Sequence, residues 1–447
     1  MPSIQTELLS PNHQKVSIRL QADDYAKDIN KSISNYALKA NIPGFRQGKV
    51  PIGMIKKMYG NSIFEDEVLK VVSRVFENYL VENKINFLAR PLPLPHQNNL
   101  DLNAMGDLLF EFEYAERPTL DLNFLNQTFE KYQVQISQDE LDKEIDYMLT
   151  NSGSLNDVEA LTSEEYVVEF SLRKVGEDKV LTDKNKQLLL KAFNKQAKTI
   201  LEGQKKGFEF SLVLQDMFEK DFLDALVNEL DVTDTINDLY VLSVINISEI
   251  IKAEMNEETY LKIFPNLKIA NEEEFVSAVK NDLLNYWEKQ ATTKFHNDIF
   301  EYAVHNTPFE IPQAFFKRWL QIAGEKLKTS EEVEKEYGSF EHGLRWQLIS
   351  EELSKKYNIS ISKEEIEDAV RQEIFGYFGG AISLENQDLS WVDNIVEKQM
   401  KDENYVSQTV NKIQYVKLFN QIEEVIKINE KSISIEEFVK LPHNHHH

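Results

Sequence analysis

Residues 42–51 read IPGFRQGKVP. Gly44 and Gly48 can take positive φ, so they permit a tight, projecting loop. Phe45 lies at its tip, too close in sequence to its own flanks to fold back onto them. Burial of a phenylalanine is worth about 1.5–3 kcal/mol, so an exposed one suggests a partner that buries it. Arg46 adds a planar fork suited to phosphate and Lys49 a compact point charge. An aromatic beside an arginine suits RNA or a protein–RNA surface. Helical patterns flank the loop. Residues 22–41 carry apolar residues at spacings of three and four: Tyr25, Ile29, Ile33, Tyr36, Ala37 and Ala40. Asp23 is placed to cap that helix. Pro51 falls where the next helix begins, in its first turn.

Working outward, the window from Ile29 to Phe64 holds Lys31, Lys39, Arg46, Lys49, Lys56 and Lys57 and no acid. The overall acidic fraction would put about six acids there. Residues 1–118 are neutral, with fourteen Lys or Arg and fourteen Asp or Glu, while the whole chain of 447 carries −25. The acidity therefore belongs to the remaining 329 residues. A basic island on an acidic chain points to a polyanionic partner. The bland alternative is a solvated face of a small domain.

Length suggests two to four domains. The chain has no cysteine, which excludes disulfides and cysteine metal sites and fits a reducing compartment. The N-terminus lacks the apolar core of a signal peptide, and no run of eighteen apolar residues occurs. The expectation is a soluble cytoplasmic protein without a membrane partner.

Residues 13–20 and 108–115 alternate as strands. Between them, PIGMIKKMYG reads as a short helix ending at Gly60, and NSIFEDEVLKVVSRVFENYLVENK as a longer one. This is an α+β unit, residues 1–118. Residues 119–153 form a linking strand and helix, opened by the capping box Ser137-x-x-Glu140, with NSGSLNDVE as a hinge. Residues 154–250 read as an inserted α+β domain, with strands YVVEFSLRKVG, GFEFSLVLQ and LYVLSVINISEI around one helical stretch, TDKNKQLLLKAFNKQAKTILEG. Residues 251–441 read as helical throughout, with capping boxes at Asn271/Glu274, Ser362/Glu365 and Ser434/Glu437. VQISQDEL, NISISKEEI and KSISIEEF share one helix-start chemistry. A His-rich tail, residues 442–447, closes the chain. The fold class expected is α+β multidomain with a long helical C-terminal body.

Patterns for phosphate-binding loops, dinucleotide turns, zinc-protease helices and serine-nucleophile elbows are missing. No catalytic residue, metal or cofactor is assigned. The tail histidines read as a tail or an expression remnant. FGYFGG, residues 375–380, reads as a helix end with aromatics tucked into a core.

GFRQGKVP, followed by a short helix and MYG, resembles the ribosome-docking signature of the trigger factor family of bacterial chaperones. The matching positions are Gly44, Phe45, Arg46, Gly48, Lys49 and Pro51. The domain order also fits, and KIFPNLKIANEEEFVSAVKNDLLNYWEKQ and HNTPFEIPQAFFKRWL are similar to the family's helical arms. The resemblance implies an ATP-independent chaperone. It would dock beside the exit tunnel, on large-subunit protein and ribosomal RNA, and shield nascent polypeptides. Gln47 stands where the family often has a lysine, which removes one cationic contact.

In the family the insert resembles an FKBP-type prolyl isomerase closed by an I-P-G-F-E type segment. That segment is not recognisable here, although ILEGQKKGFEF fits the strand-turn-strand part. The remaining pocket candidates are Phe170, Phe193, Phe218 and Tyr240, whose alternative role is core packing. An active isomerase with secondary chaperone function therefore stays open, beside a degenerate domain serving as spacer or client surface. Periplasmic chaperones with helical arms around isomerase modules rank lower, since they need a signal peptide and no docking loop. Client-binding candidates in the body are Phe315, Phe316, Trp319, Tyr377, Phe378 and Trp391. A homodimer of the free protein, burying the loop, is left open.

Overall fold

The computed structural model describes residues 2–442 apart from 47, 97, 99, 178, 182–185, 231–236, 325 and 378–389. The N-terminal unit is an antiparallel sheet of β1 (Ser3–Ser10), β2 (His13–Leu20), β3 (Leu92–Pro93) and β4 (Leu108–Ala115), in the order β1-β2-β4-β3. Two helices cover it: α1 (Ala22–Lys39) and α2 (Ile52–Glu82). Alternation in β2 sends Val16, Ile18 and Leu20 inward, against Tyr25, Ile29 and Ile33 of α1 and Phe64, Val68 and Val72 of α2.

Two local readings change. Gln21, not Asp23, caps α1, in a capping box completed by Asp24. The helix after the loop does not stop at Gly60. It is continuous for 31 residues, and Pro51 is its N-cap. Gly60 is a packing glycine: an added Cβ would lie 2.8 Å from Leu102 Cδ2. The apolar face through Ile55, Ile63 and Phe64 carries the helix past it.

The linking segment supplies β5 (Thr128–Gln135) and α3 (Gln138–Asn151), and the Ser137/Glu140 capping box is formed. The expected hinge is instead a strand, β6 (Ser154–Asp157), paired with β10. Gly153 before it allows close backbone approach, since a Cβ there would lie 2.3 Å from Ile251 O.

The insert contains β7 (Val167–Lys174), β8 (Lys186–Leu189), α4 (Lys195–Leu201), β9 (Glu209–Val213), α5 (Leu214–Met217), α6 (Lys220–Leu230) and β10 (Leu239–Ile251). Strand β10 is central, pairing with β6, β7 and β9. The single helical stretch expected here divides into β8, a 3-10 turn at Leu190–Ala192 and the short α4. Asn194 caps α4 through Ala197 N, so the helix starts thirteen residues into the stretch.

The body follows as α7 (Glu257–Ile263), α8 (Glu272–Asn306), α9 (Gln313–Ile322), α10 (Ser330–Lys356), α11 (Lys363–Tyr377), α12 (Ser390–Gln399) and α13 (Glu403–Val425). It is not wholly helical. After α13 come β11 (Lys427–Ser434) and the short α14 (Ile435–Val439). β11 pairs in parallel with β5 from Lys427↔Thr128 to Ser434↔Gln135. SIS of the second lead-in thus pairs with QVQ (133–135), two residues short of the first lead-in's cap, and each strand runs into a helix through its own capping box, at Ser137/Glu140 and Ser434/Glu437. Phe295 and Ile299 of α8, Ile349 and Leu353 of α10 and Leu418, Phe419 and Ile422 of α13 form the body's main core.

The N-terminal unit packs on the body. Leu92 and Ala115 meet Ile311, Phe315, Phe316 and Tyr337. Beside them Glu113, 4% exposed, takes His13 Nε2 at 3.0 Å and a hydrogen bond from Arg318. Arg117 bridges to Glu351 at 2.5 Å.

Candidate functional site

The loop between α1 and α2 is anchored at both ends and free between them. Ile42 and Val50 are buried in the N-terminal core. Backbone bonds from Phe45 N to Ile42 O (3.1 Å) and from Lys49 N to Arg46 O (2.9 Å) close two tight turns. Gly44 (φ +92°) and Gly48 (φ +76°) occupy the left-handed region that these turns require. An added Cβ at Gly44 would meet nothing within 4 Å, so conformation and not space selects glycine there. Phe45, Arg46 and Lys49 are all exposed, Phe45 at 37%.

Lysines elsewhere are widely paired with carboxylates, as at Lys15–Glu7, Lys131–Glu423 and Lys317–Glu334. Around the loop the pattern reverses. Lys31, Lys39, Arg46, Lys49, Lys56 and Lys57 are exposed, and among the described residues none makes an ion pair. Unneutralised cations on a hairpin of two helices can contact phosphate directly. Sequence reading missed an apolar rim to this surface: Leu38 (62% exposed), Ile52 (49%) and Met58 (54%). Tyr36 and Tyr59 meet across the two helices with ring centroids 5.0 Å apart.

Two family models match this chain: bacterial trigger factor protein over residues 2–148, and the probable trigger factor C-terminal domain over residues 291–442. The chain belongs to the trigger factor family. Its members are ribosome-associated chaperones of protein folding. Among relatives, trigger factor of Chloroherpeton thalassium is 23% identical over 97% of both chains. That of Chlorobaculum parvum is 22% identical over 96% of this chain and 98% of its own. That of Thermodesulfovibrio yellowstonii is 23% identical over 81% and 86%. A solved structure of the trigger factor chaperone superposes with a TM-score of 0.54 at 14% identity, covering 94% of this chain and 98% of that one. The fold is therefore that of the family. Both ends of the loop between α1 and α2 lie inside the first matched segment.

The pocket candidates of the insert are core residues. Phe170, Phe193, Phe218 and Tyr240 are at most 2% exposed. The three phenyl rings pack on one another, with centroids 5.2–5.7 Å apart.

Two of the client candidates are also buried. Phe315 and Phe316 are 0% and 1% exposed, against the N-terminal unit. They lie on the inner face of α9, where burial of two rings outweighs any gain from leaving them open. Trp391 packs on Val370, Val392 and Val396. Tyr377 ends α11, and Phe378 lies outside the described residues. Trp319 lines a groove of about 770 Å³ with Leu69, Leu80, Phe87, Pro91 and Ile322. Phe87 and Ile322 there are 43% and 52% exposed.

No described helix is long and apolar enough to cross a membrane.

Proposed function

We propose that this chain docks on the ribosome beside the exit tunnel through Gly44, Phe45, Arg46, Gly48, Lys49 and Pro51 and shields nascent polypeptides without ATP. The observation that carries this reading is the exposed Phe45 beside cations that no described carboxylate neutralises. Ribosomal RNA and large-subunit protein offer phosphate for Arg46 and Lys49 and an apolar contact for Phe45. The rest of the molecule carries the −25 charge, which keeps it off RNA and favours its solubility. A cytoplasmic setting follows from such a partner.

Clients bind to apolar grooves such as the one lined by Trp319, Phe87 and Ile322. At about 25 cal/mol per Å² a few hundred Å² of burial gives weak, reversible capture once ordering costs are met. Release then needs no nucleotide. The insert acts as a spacer or additional client surface, a reading supported by the mutual packing of its candidate rings.

Ribosome co-sedimentation tests docking. Wild type is compared with a Phe45→Ala, Arg46→Ala, Lys49→Ala variant of matching circular dichroism. Wild type should pellet with ribosomes and the variant stay in solution. Equal behaviour of the two overturns the assignment. For the insert, a protease-coupled refolding assay limited by proline isomerisation should show little catalysis. Catalytic efficiency typical of an FKBP-type enzyme would restore the isomerase reading.

A further inference from the structure

Glu301 and His305 lie one turn apart on α8 and present to the same side. His342 of α10 meets them there. Its Nε2 is 3.2 Å from Glu301 Oε2, and His305 Nε2 is 3.3 Å from the same oxygen. All three ligand atoms lie within 4.8 Å of one another. Ligands around a tetrahedral ion at 2.0–2.2 Å are separated by about 3.3–3.6 Å, so two edges of such a site are already close to formed.

We propose that Glu301, His305 and His342 bind a divalent transition metal ion, with Zn²⁺ the best fit. Two imidazoles and one carboxylate suit Zn²⁺ and its neighbours, whereas Mg²⁺ and Ca²⁺ prefer an all-oxygen shell. The protein supplies three ligands, and the exposed side next to His305 leaves a fourth position for water or an outside donor. Without metal, the carboxylate accepts from the imidazole N–H groups. With metal, both rings bind as neutral ligands through Nε2, and the single ring proton of each then resides on Nδ1.

The surroundings hold these groups in place. Phe300 packs edge-on to His342, with centroids 5.2 Å apart, and to Trp346 at 4.8 Å. Arg345, one turn beyond His342, donates to the carbonyls of Val304, Thr307 and Phe309 at 3.0, 2.8 and 3.0 Å. That fixes the end of α8 against α10 and occupies the guanidinium, so it does not compete for Glu301. Glu301 is 12% and His342 24% exposed at the side chain, while His305 is 63% exposed and provides the entry. A bound ion would therefore clamp α8 to α10 close to the segment that meets the N-terminal unit.

The test uses the full chain with His443, His445, His446 and His447 changed to alanine, which removes the tail as a competing ligand. Zn²⁺ is titrated calorimetrically, and Co²⁺ is followed by its visible absorption. One ion per chain should bind at roughly micromolar Kd, with the intense absorption of tetrahedral Co²⁺ and a raised thermal midpoint. His305→Ala and His342→Ala should each weaken binding by about tenfold or more and abolish the Co²⁺ spectrum. Because His305 is largely exposed, its variant should keep the wild-type circular dichroism. Mg²⁺ should neither bind nor displace Zn²⁺. Unchanged affinity in His305→Ala, or no binding below about 1 mM, would overturn the site.

Discussion

Lys131 Nζ on β5 donates to Glu423 on α13 across 2.6 Å, joining residues 292 positions apart. Glu423 also receives His296 Nε2 of α8 at 2.8 Å. A carboxylate can only accept, so Nε2 carries a proton, while Nδ1 lies 3.0 Å from Tyr415 Oη. Three elements of the body therefore converge on one acid.

Stability should depend on the charge of that acid. Burial pushes the Glu423 carboxyl up, but the bonds from Lys131 and His296 prevail and hold it below its ordinary 4.5. A carboxyl depressed on folding stabilises fully above its unfolded value and ceases to as pH falls through the folded one. Glu423→Gln should thus lower stability at pH 7 by about 1–3 kcal/mol, the range for hydrogen bonds to a charged group. The gap from wild type should close below pH 4.5. Denaturant titrations at pH 7 and pH 3 measure both. A gap of equal size at the two values would show that the charge is not responsible.

Removal of residues 427–447 should disrupt the body far more than removal of 443–447. The longer deletion strips β5 of its partner strand and takes Phe438 from the core it shares with Val134 and Ala291. Thermal unfolding of this variant should lose cooperativity or shift to much lower temperature. The shorter deletion should leave the transition unchanged.

Two glycines should respond differently to alanine. At Gly153 the new Cβ meets a backbone carbonyl, Ile251 O at 2.3 Å, which cannot turn aside. Gly153→Ala should cost about 1–3 kcal/mol, as overpacking does. At Gly60 the neighbour is the end of the Leu102 side chain, at 2.8 Å. That methyl can rotate away, and alanine gains about 1 kcal/mol of helix propensity, so Gly60→Ala should be close to neutral. Chemical denaturation of the two variants separates the cases.

If Arg46 and Lys49 each neutralise a phosphate, ribosome affinity should fall steeply with salt. The slope of log K against log salt concentration should flatten by about 1.5–2 in Arg46→Ala, Lys49→Ala. Phe45→Ala should weaken binding at every salt concentration and leave the slope alone. A parallel shift for both variants would argue against phosphate contacts.

The sequence by itself determined what adjacent residues settle among themselves. Alternation in β2 and β4, the three- and four-residue spacing in α1, the Ser/Glu helix starts and the loop glycines were all legible, because each depends on chemistry within a few positions. The candidate docking site was readable for the same reason: a short loop with bare cations and a ring cannot hide them. Tertiary structure decided the rest. The helix runs on through Gly60 because the core buries its face through Ile55, Ile63 and Phe64, and the segment after Gly153 becomes a strand because β10 is there to pair with it. Phe315 and Phe316 point inward because the N-terminal unit covers that face of α9, which no spacing in α9 encodes. The pairing of β11 with β5 joins the two ends of a stretch about 300 residues long, and only the folded body brings those ends together. Local free energies fix each element's type, while partners distant in sequence fix which face is buried and which is left to bind.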